Sequence, residues 1–333
     1  MFIVDSYALA IAFCFVTMLC WGSWANTQKL ASRNWRFELF YWDYVIGILL
    51  FSILSAFTLG SVGTQGRSFL QDLSQADTSN IISALIGGVI FNAANILLSA
   101  AIAIAGMAVA FPIGIGLALI LGVLVNYFGA EKGDPVTLFG GVALITIAIV
   151  LNALAYRKAS ASRNIVSSKG ITLSLIAGLL MSFFYRFIAA SMDLENFENP
   201  ATGKMTPYTA VFIFSVGIFL SNFIFNSILI KRPFAGEPTS YSAYFNGSIG
   251  THMTGILGGM IWGLGNSFNL IAAGKAGAAI SYGLGQGATL IAALWGVFIW
   301  KEFKNAPHQT NKLIAAMFAF FIAGLCMIIY AGS

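Results

Sequence analysis

Ten predominantly apolar stretches follow one another along the chain, and each is long enough to cross a lipid bilayer, which takes about 20 residues. Backbone polar groups inside a bilayer must pair within the protein, and an α-helix pairs all of its own. We therefore expect an all-α polytopic membrane protein with ten transmembrane helices. These spans 1 to 10 are predicted at approximately 8–28, 39–60, 80–104, 107–129, 136–156, 170–192, 208–230, 249–273, 277–300 and 312–331.

Charged residues are too few to cover a water-facing surface. They make up 9% of the chain, against about 25% in an average soluble domain. The net charge of +5 is modest, so we expect no nucleic-acid partner. The three cysteines lie in apolar runs without metal-ligand spacing, and no phosphate-binding GxxxxGK[ST] motif is present. We expect no metal, no cofactor and no ATP-driven pump.

Lysine and arginine are concentrated in the loops on one side of the predicted bundle, and such loops usually face the cytoplasm. An even number of spans then puts both termini outside, in a protein of the plasma (inner) membrane. The basic side carries Lys29, Arg33, Arg36, Arg157, Lys158, Arg163, Lys169, Lys231, Arg232, Lys301, Lys304 and Lys312, and the opposite side carries Arg67, Lys132, Lys204 and Lys275.

A displacement of 171 residues aligns the two halves of the chain without a gap. We interpret 1–156 and 170–333 as five-helix repeats joined by a basic cytoplasmic linker, 157–169. Because five is odd, the second half enters the membrane from the opposite side, which makes an inverted 5+5 repeat. Secondary transporters often have this architecture, with the substrate between the repeats near the midplane. The displacement places Gly88 on Gly259, Asn95 on Asn266, Gly106 on Gly277 and Gly114 on Gly285.

Amide side chains inside the spans are candidate solute ligands, because polar groups at membrane depth usually face a cavity or the bundle interior. Asn92 and Asn95 lie one turn apart on span 3, and Asn266 is the repeat equivalent of Asn95. Gln286 stands between two glycines of span 9. The alternative for each asparagine is a hydrogen bond between helices.

Aromatic side chains near the span ends offer flat surfaces for a sugar or a planar heterocycle. Trp24 and Trp262 are the candidates, although tryptophans also anchor helices at the membrane interface. Phe91 aligns with Trp262 in the repeat, so these two rings are expected to face each other. The polar residues that follow Trp24, at 26–29, are expected at the cytoplasmic interface.

Three ionisable residues lie within or near the spans. Asp43 is a candidate for proton coupling, although it could instead pair with Arg36 or Arg33. Arg186 either binds the solute or reaches outward to Asp193. His252 enters span 8 at the depth of Asp43 and is either a proton relay or a structural residue.

Three stretches of the chain resemble known transporters. CWGSWANTQKLASRNWRFELFYWDYVIG and GGMIWGLGNSFNLIAAGKAGAAISYGLGQGATLIAALWGVFIWKEF resemble plant ureide permeases, and GMAVAFPIGIGLALILGVLVN resembles rhamnose–proton symporters and glucose/ribose porters. The chain thus resembles the sugar and ureide porters of the drug/metabolite transporter superfamily. This resemblance implies ten helices in inverted repeats and proton-coupled uptake of a small polar solute. The extended central loop of the plant proteins is absent, and the short basic linker stands in its place.

We expect a secondary transporter, monomeric or homodimeric, that imports a monosaccharide with protons by alternating access. A ureide (allantoin-like) or nucleobase permease is the alternative within the class, because stacked rings and amides suit a planar amide-rich ligand equally well. A metabolite exporter has the same fold, and a channel or scaffold would lack proton coupling. We do not expect an enzyme, since no paired carboxylates, metal ligands or nucleophile cluster inside the spans.

Overall fold

The computed structural model describes residues 1–31, 35–159, 167–301, 303–304 and 306–333, so Arg33, Arg163 and most of the basic linker lie outside the described residues. Within them, ten helices are long and apolar enough to cross a membrane, which confirms the predicted number. Their bounds are Tyr7–Ser23 with Ala25–Ala31 (span 1), Phe37–Phe57 (span 2), Thr78–Ala105 (span 3), Met107–Gly129 (span 4), Pro135–Ala159 (span 5), Ser168–Ala190 (span 6), Pro207–Lys231 (span 7), Ile249–Ala276 (span 8), Ala278–Gly285 with Ala288–Leu294 and the π-helix Trp295–Ile299 (span 9), and His308–Tyr330 (span 10).

The helices of the two halves interleave. Span 3 packs against spans 6 and 7, and span 8 packs in the corresponding way against spans 1 and 2. Spans 4 and 9 contact each other, and so do spans 5 and 10. Each half thus depends on helices of the other half for its packing, which concentrates the buried interior where the halves meet.

Two helix crossings require glycine because the backbones touch. A Cβ atom on Gly88 in span 3 would lie 2.1 Å from the carbonyl oxygen of Phe214 in span 7. A Cβ atom on Gly259 in span 8 would lie 1.9 Å from the carbonyl oxygen of Tyr44 in span 2. Small residues permit such close approach in membrane helices, where packing contributes much of the association energy.

The turns between spans 3 and 4 and between spans 8 and 9 share one backbone conformation. Gly106 has φ 81° and ψ 156°, and Gly277 has φ 87° and ψ 153°. A positive φ favours glycine, which lacks the Cβ atom that makes this region costly. These residues are equivalent under the 171-residue displacement, while the inverted orientation of the halves stays a prediction.

Loop contacts define two ends of the bundle. At the first, which we call the terminal end, the amino group of Met1 bonds to Gln65 O at 2.6 Å, and the Asp134 N–H bonds to Ala331 O at 2.7 Å. Both termini therefore lie at the same end, as an even number of spans requires. The opposite end carries the loop 232–248 and the flanks of the basic linker, and we call it the linker end.

A polar network joins two loops at the terminal end. The fully buried carboxylate of Asp72 accepts a hydrogen bond from Arg67 Nε at 2.9 Å and one from the Thr206 N–H at 2.7 Å. Arg67 also donates to the carbonyl oxygens of Pro200 and Lys204, at 2.8 and 2.6 Å. The loop between spans 2 and 3 is thereby tied to the loop between spans 6 and 7.

Candidate functional site

A cavity of about 30 Å³ lies among spans 1, 3, 4, 6, 8 and 9. Its wall is mainly aromatic, with few polar groups. Apolar side chains of spans 3, 4 and 6 complete the wall. The aromatic and polar residues that line the cavity are Trp21, Trp24, Phe91, Asn95, Phe111, Phe184, Trp262 and Gln286.

Stacked rings form one side of this cavity. The rings of Phe91 and Trp262 have centroids 4.2 Å apart, so the predicted contact between repeat-equivalent aromatics is confirmed. The indole of Trp21 lies nearly parallel to that of Trp262, with ring centroids 5.8 Å apart and 7° between the ring planes. Trp24 contacts Tyr44 at a centroid distance of 4.7 Å. Helices of both halves therefore supply one aromatic surface.

The polar groups of the cavity come from three helices. Asn95 of span 3 donates weakly to the hydroxyl of Tyr41, at 3.4 Å. Gln286 of span 9 is buried and lines the cavity. The indole N–H of Trp21 is buried and has no hydrogen-bond partner among the described residues. A ligand carbonyl that accepted from it would satisfy a donor that is otherwise costly to bury.

Span 9 is interrupted where Gln286 enters the cavity. The helix ends at Gly285 and resumes at Ala288. At the interruption the Gly287 N–H bonds to Leu284 O at 2.9 Å, three residues back instead of four. Span 1 packs closely against this point at Gly22, where a Cβ atom would lie 2.5 Å from Ala288 O. Interrupted helices supply the binding sites of many secondary transporters.

Two of the predicted asparagines do not line the cavity. Asn92 accepts from the Tyr41 hydroxyl at 3.0 Å and donates to Ser221 Oγ at 2.9 Å, so it bonds spans 2, 3 and 7 together. Asn266 is buried, and its amide has no partner among the described residues. Of the predicted solute ligands, the structure brings together Trp24, Asn95, Trp262 and Gln286, and their role in binding stays a prediction.

Arg186 also lies away from the cavity. Its guanidinium packs on Gly129 at the end of span 4, where a Cβ atom would lie 2.2 Å from Arg186 Nε. The carboxylate of Asp193 accepts from the Ala201 N–H at 2.8 Å, and no ion pair joins it to Arg186 in the described part of the chain. Arg186 and Asp193 are therefore not paired, and solute binding by Arg186 stays a prediction.

A second polar cluster surrounds Asp43 at the linker end. Its Oδ1 accepts from the Tyr244 hydroxyl at 2.7 Å and lies 2.8 Å from Nδ1 of His252. Its Oδ2 accepts from the indole N–H of Trp35 at 3.3 Å. Burial, and then the bond to Asp43, raise the pKa of Tyr244, so its phenol stays protonated and donates.

The expected pairing of Asp43 with Arg36 is wrong. Arg36 instead pairs with Glu38, with the guanidinium nitrogen and carboxylate oxygen 2.9 Å apart, and it also bonds to Glu237 O. Glu38 was missed because span 2 was expected to begin at 39, whereas the helix begins at Phe37. The available signal was that four apolar or aromatic residues follow Glu38 directly.

The polar residues 26–28, which follow Trp24, are buried instead of interfacial, which corrects the expectation for them, whereas Lys29 is exposed. The side chain of Asn26 accepts from the indole N–H of Trp300 at 2.7 Å. Gln28 donates to Ser99 O of span 3 at 3.2 Å. Lys29 lies over the Trp300 ring, 4.2 Å from its centroid. Spans 3 and 9 cover this end of span 1, which hydropathy alone does not reveal.

Comparison with models of protein families matches residues 40–169 and 158–331 to the ureide permease family. The chain belongs to this family. Ureide permeases 2 and 1 of Arabidopsis thaliana are 26% and 25% identical to it, and each alignment covers 98% of both chains. The alignment with ureide permease 2 runs over 392 positions, more than the 333 residues of this chain, so part of it falls in gaps of this chain.

More distant similarities extend beyond the ureide permeases. Transmembrane protein 144 homolog B of Dictyostelium discoideum is 28% identical over 48% of this chain and 40% of its own. One solved crystal structure covers 97% of this chain and 98% of its own, with a TM-score of 0.59 and 14% identity, which indicates a shared fold alone. As a family member with ten candidate spans, the protein is a multi-pass integral membrane transporter and not an enzyme.

Proposed function

We propose that this protein carries a ureide, a small planar solute rich in N–H and C=O groups, across the membrane by alternating access. The supporting observation is the cavity in which the contacting rings of Trp21, Trp262 and Phe91 lie beside the amides of Asn95 and Gln286. The similarity to ureide permeases favours this solute over the monosaccharide expected from the sequence.

The cavity chemistry suits a ureide in two ways. A ureide has flat faces that pack on aromatic rings and an edge that alternates donors and acceptors. The amide of Gln286 offers both a donor and an acceptor, and so does that of Asn95. The unpartnered indole N–H of Trp21 offers a donor alone. A ligand carbonyl at Trp21 and ligand N–H groups at the amide oxygens would satisfy all three.

The cavity is smaller than the proposed solute. About 30 Å³ holds roughly two water molecules, which is less than a ureide requires. The bound state must therefore be wider. The interruption of span 9 beside Gln286 supplies a point where the helix can bend, because only part of the regular backbone pairing is present there. Widening here and closing at the two ends in turn would give alternating access.

The proposal also includes the orientation in the membrane, the proton-coupling residue and the direction of transport. We place the linker end in the cytoplasm and both termini outside, in the plasma membrane, because the linker end carries most of the lysine and arginine. We assign proton coupling to Asp43, whose carboxylate is buried beside His252. The inverted repeat explains why helices of both halves build one cavity, and proton-driven import follows the resemblance stated above.

Solute counterflow into proteoliposomes tests the proposal. Vesicles loaded with unlabelled allantoin should take up labelled allantoin, and external ureides should compete while glucose should not. Gln286→Leu should lower this exchange at least tenfold, since one lost hydrogen bond to a ligand is worth about 1 kcal/mol and the unpaired ligand group adds to it. Gln309→Leu, at an exposed glutamine, is the matched control and should leave exchange unchanged. Competition by glucose without competition by ureides would contradict the proposal.

A further inference from the structure

At the linker end, three separate segments converge on one carboxylate. Asp43 comes from span 2, His252 from the first turn of span 8, and Tyr244 from the loop helix Tyr241–Phe245 between spans 7 and 8. The Tyr244 and His252 side chains both meet Oδ1, at 2.7 and 2.8 Å. The loop helix is therefore attached to the bundle through the same oxygen that contacts the imidazole.

The loop closes tightly over this cluster. The imidazole of His252 lies edge-on to the rings of Tyr244 and Trp35, with centroids 4.8 and 5.2 Å away. A Cβ atom on Gly247 would lie 2.7 Å from Nε2 of His252. The side chain of Asp43 is 1% exposed and that of His252 is 22% exposed, so solvent protons reach the histidine first.

The other charged groups near the cluster have partners elsewhere or make no contact with it. Arg36 forms an ion pair with Glu38, and the ammonium group of Lys29 lies over the Trp300 ring. Lys231 ends span 7 without a contact to Asp43 or His252 among the described residues. The hydroxyl of Tyr41 on span 2 points away, toward Asn92. Among the described residues, the imidazole is thus the cationic partner of the Asp43 carboxylate.

We propose that His252 and Asp43 form one proton-binding site that controls docking of the loop helix, so that proton uptake closes the linker end. The proton adds to Nε2 of a neutral His252 whose Nδ1–H already bonds to Asp43, and no other bond breaks. The resulting imidazolium neutralises the buried carboxylate through a charge-assisted hydrogen bond. When the proton leaves, the buried Asp43 carboxylate has no cationic partner, which is costly. Opening of the loop then lets water hydrate the carboxylate, so loss of the proton favours the open loop.

The same helices connect the proton site to the cavity. Span 8 carries His252 and Trp262, which are ten residues and so roughly 15 Å apart along the helix. Span 2 carries Asp43 and the adjacent Tyr44, whose ring contacts Trp24. The backbone contact at Gly259 holds the two helices together. Docking of the loop would therefore act on both walls of the cavity. This inference rests on the proposed alternating access and not on the identity of the solute.

Hydrogen exchange of the backbone amides in 241–248 tests the inference in the full-length, substrate-free protein. Exchange is corrected for its intrinsic pH dependence and followed from about pH 5 to pH 9, which brackets ordinary histidine titration. Protection should fall at least tenfold as the pH rises. His252→Gln should abolish this pH dependence. His308→Gln, which removes the other histidine of the chain, is the control and should retain it.

A second variant tests the attachment of the loop helix apart from the proton-binding pair. Tyr244→Phe keeps the imidazole–carboxylate pair but removes the bond to Oδ1, so protection at low pH should drop about tenfold while its pH dependence remains. Constant protection in the unmodified protein, persistence of the pH dependence in His252→Gln, or full protection in Tyr244→Phe would each overturn the inference. Because no solute is present, failure of ureide exchange leaves these outcomes unaffected.

Discussion

Phe91 and Trp262 occupy equivalent positions in the two halves of the chain, and their rings meet at the cavity with centroids 4.2 Å apart. Each comes from the third helix of its half, and each of these helices packs on helices of the other half. The parallel indole of Trp21 extends the surface from span 1. The junction of the halves is therefore lined with aromatic rings, and relative motion of the halves would change a solute site there.

Truncation of Trp262 tests this aromatic surface. Trp262→Ala removes the ring that contacts both Phe91 and Trp21, so the dissociation constant for a ureide should rise about tenfold or more, as expected from aromatic contacts of about 0.5–1.5 kcal/mol each. Calorimetric titration of the purified protein measures it. Trp262→Phe should have a smaller effect. An unchanged constant in folded Trp262→Ala would remove this ring from the solute site.

The backbone contact between spans 2 and 8 predicts that a side chain at Gly259 destabilises the protein. Gly259→Ala places a Cβ atom against Tyr44 O and should lower stability by about 1–3 kcal/mol, as overpacking typically does. Thermal unfolding in detergent reports the change. The matched control is Gly250→Ala in the same helix, where nothing lies within 4 Å of the added atom. Equal melting temperatures for the two variants would argue against this crossing.

Neutralisation of Asp43 tests whether this carboxylate is needed for proton coupling but not for movement of the solute. Asp43→Asn keeps the shape and an acceptor oxygen for Tyr244 but removes the charge, so uptake driven by a proton gradient should disappear while counterflow exchange continues. Both are measured in the same proteoliposomes. Asp134→Asn, at an exposed loop carboxylate bonded to Thr137, is the control. Gradient-driven accumulation by Asp43→Asn at the normal level would exclude Asp43 from coupling.

The network at the terminal end predicts a large stability effect from one carboxylate. Asp72→Ala leaves the Arg67 guanidinium and the Thr206 N–H without their acceptor, and loss of one partner of a buried ion pair costs roughly 3 kcal/mol or more. Thermal unfolding again supplies the measurement. Asp5→Ala, at an exposed position, should change stability by less than about 0.5 kcal/mol. Similar melting curves for the two variants would contradict the assigned role of the network.

Features set by local composition or by the repeat were predictable from the sequence. Apolar length fixes the ten spans, because the bilayer demands it. The 171-residue displacement anticipated the contact of Phe91 with Trp262. Gln286 was placed correctly at the cavity, since flanking glycines weaken a helix and allow backbones to approach. These arguments need only the periodicity and residue types of one or two segments.

Features that depend on which distant residues meet were not predictable. Asp43 and His252 are 209 residues apart, and the sequence predicted only that they lie at a similar depth, not that they are in contact. Asn92 and Asn95 share one helix face, yet only Asn95 borders the cavity, because Tyr41 and Ser221 engage Asn92. Arg186 could not be placed either, since its neighbour Gly129 belongs to a helix that packs beside it only in the folded bundle. Helix packing determines which of several similar polar residues borders the cavity, and a hydropathy pattern does not reveal that packing.

Ligand-dependent thermal stabilisation tests the assigned solute class most directly. Purified protein is heated with allantoin and related ureides, and in parallel with glucose, ribose and rhamnose. A bound solute at 100 times its dissociation constant should stabilise the protein by about 2.7 kcal/mol. The account predicts such stabilisation with a ureide, its loss in Gln286→Leu, and none with the sugars. Stabilisation by a monosaccharide, with ureides inert at the same concentrations, would contradict it.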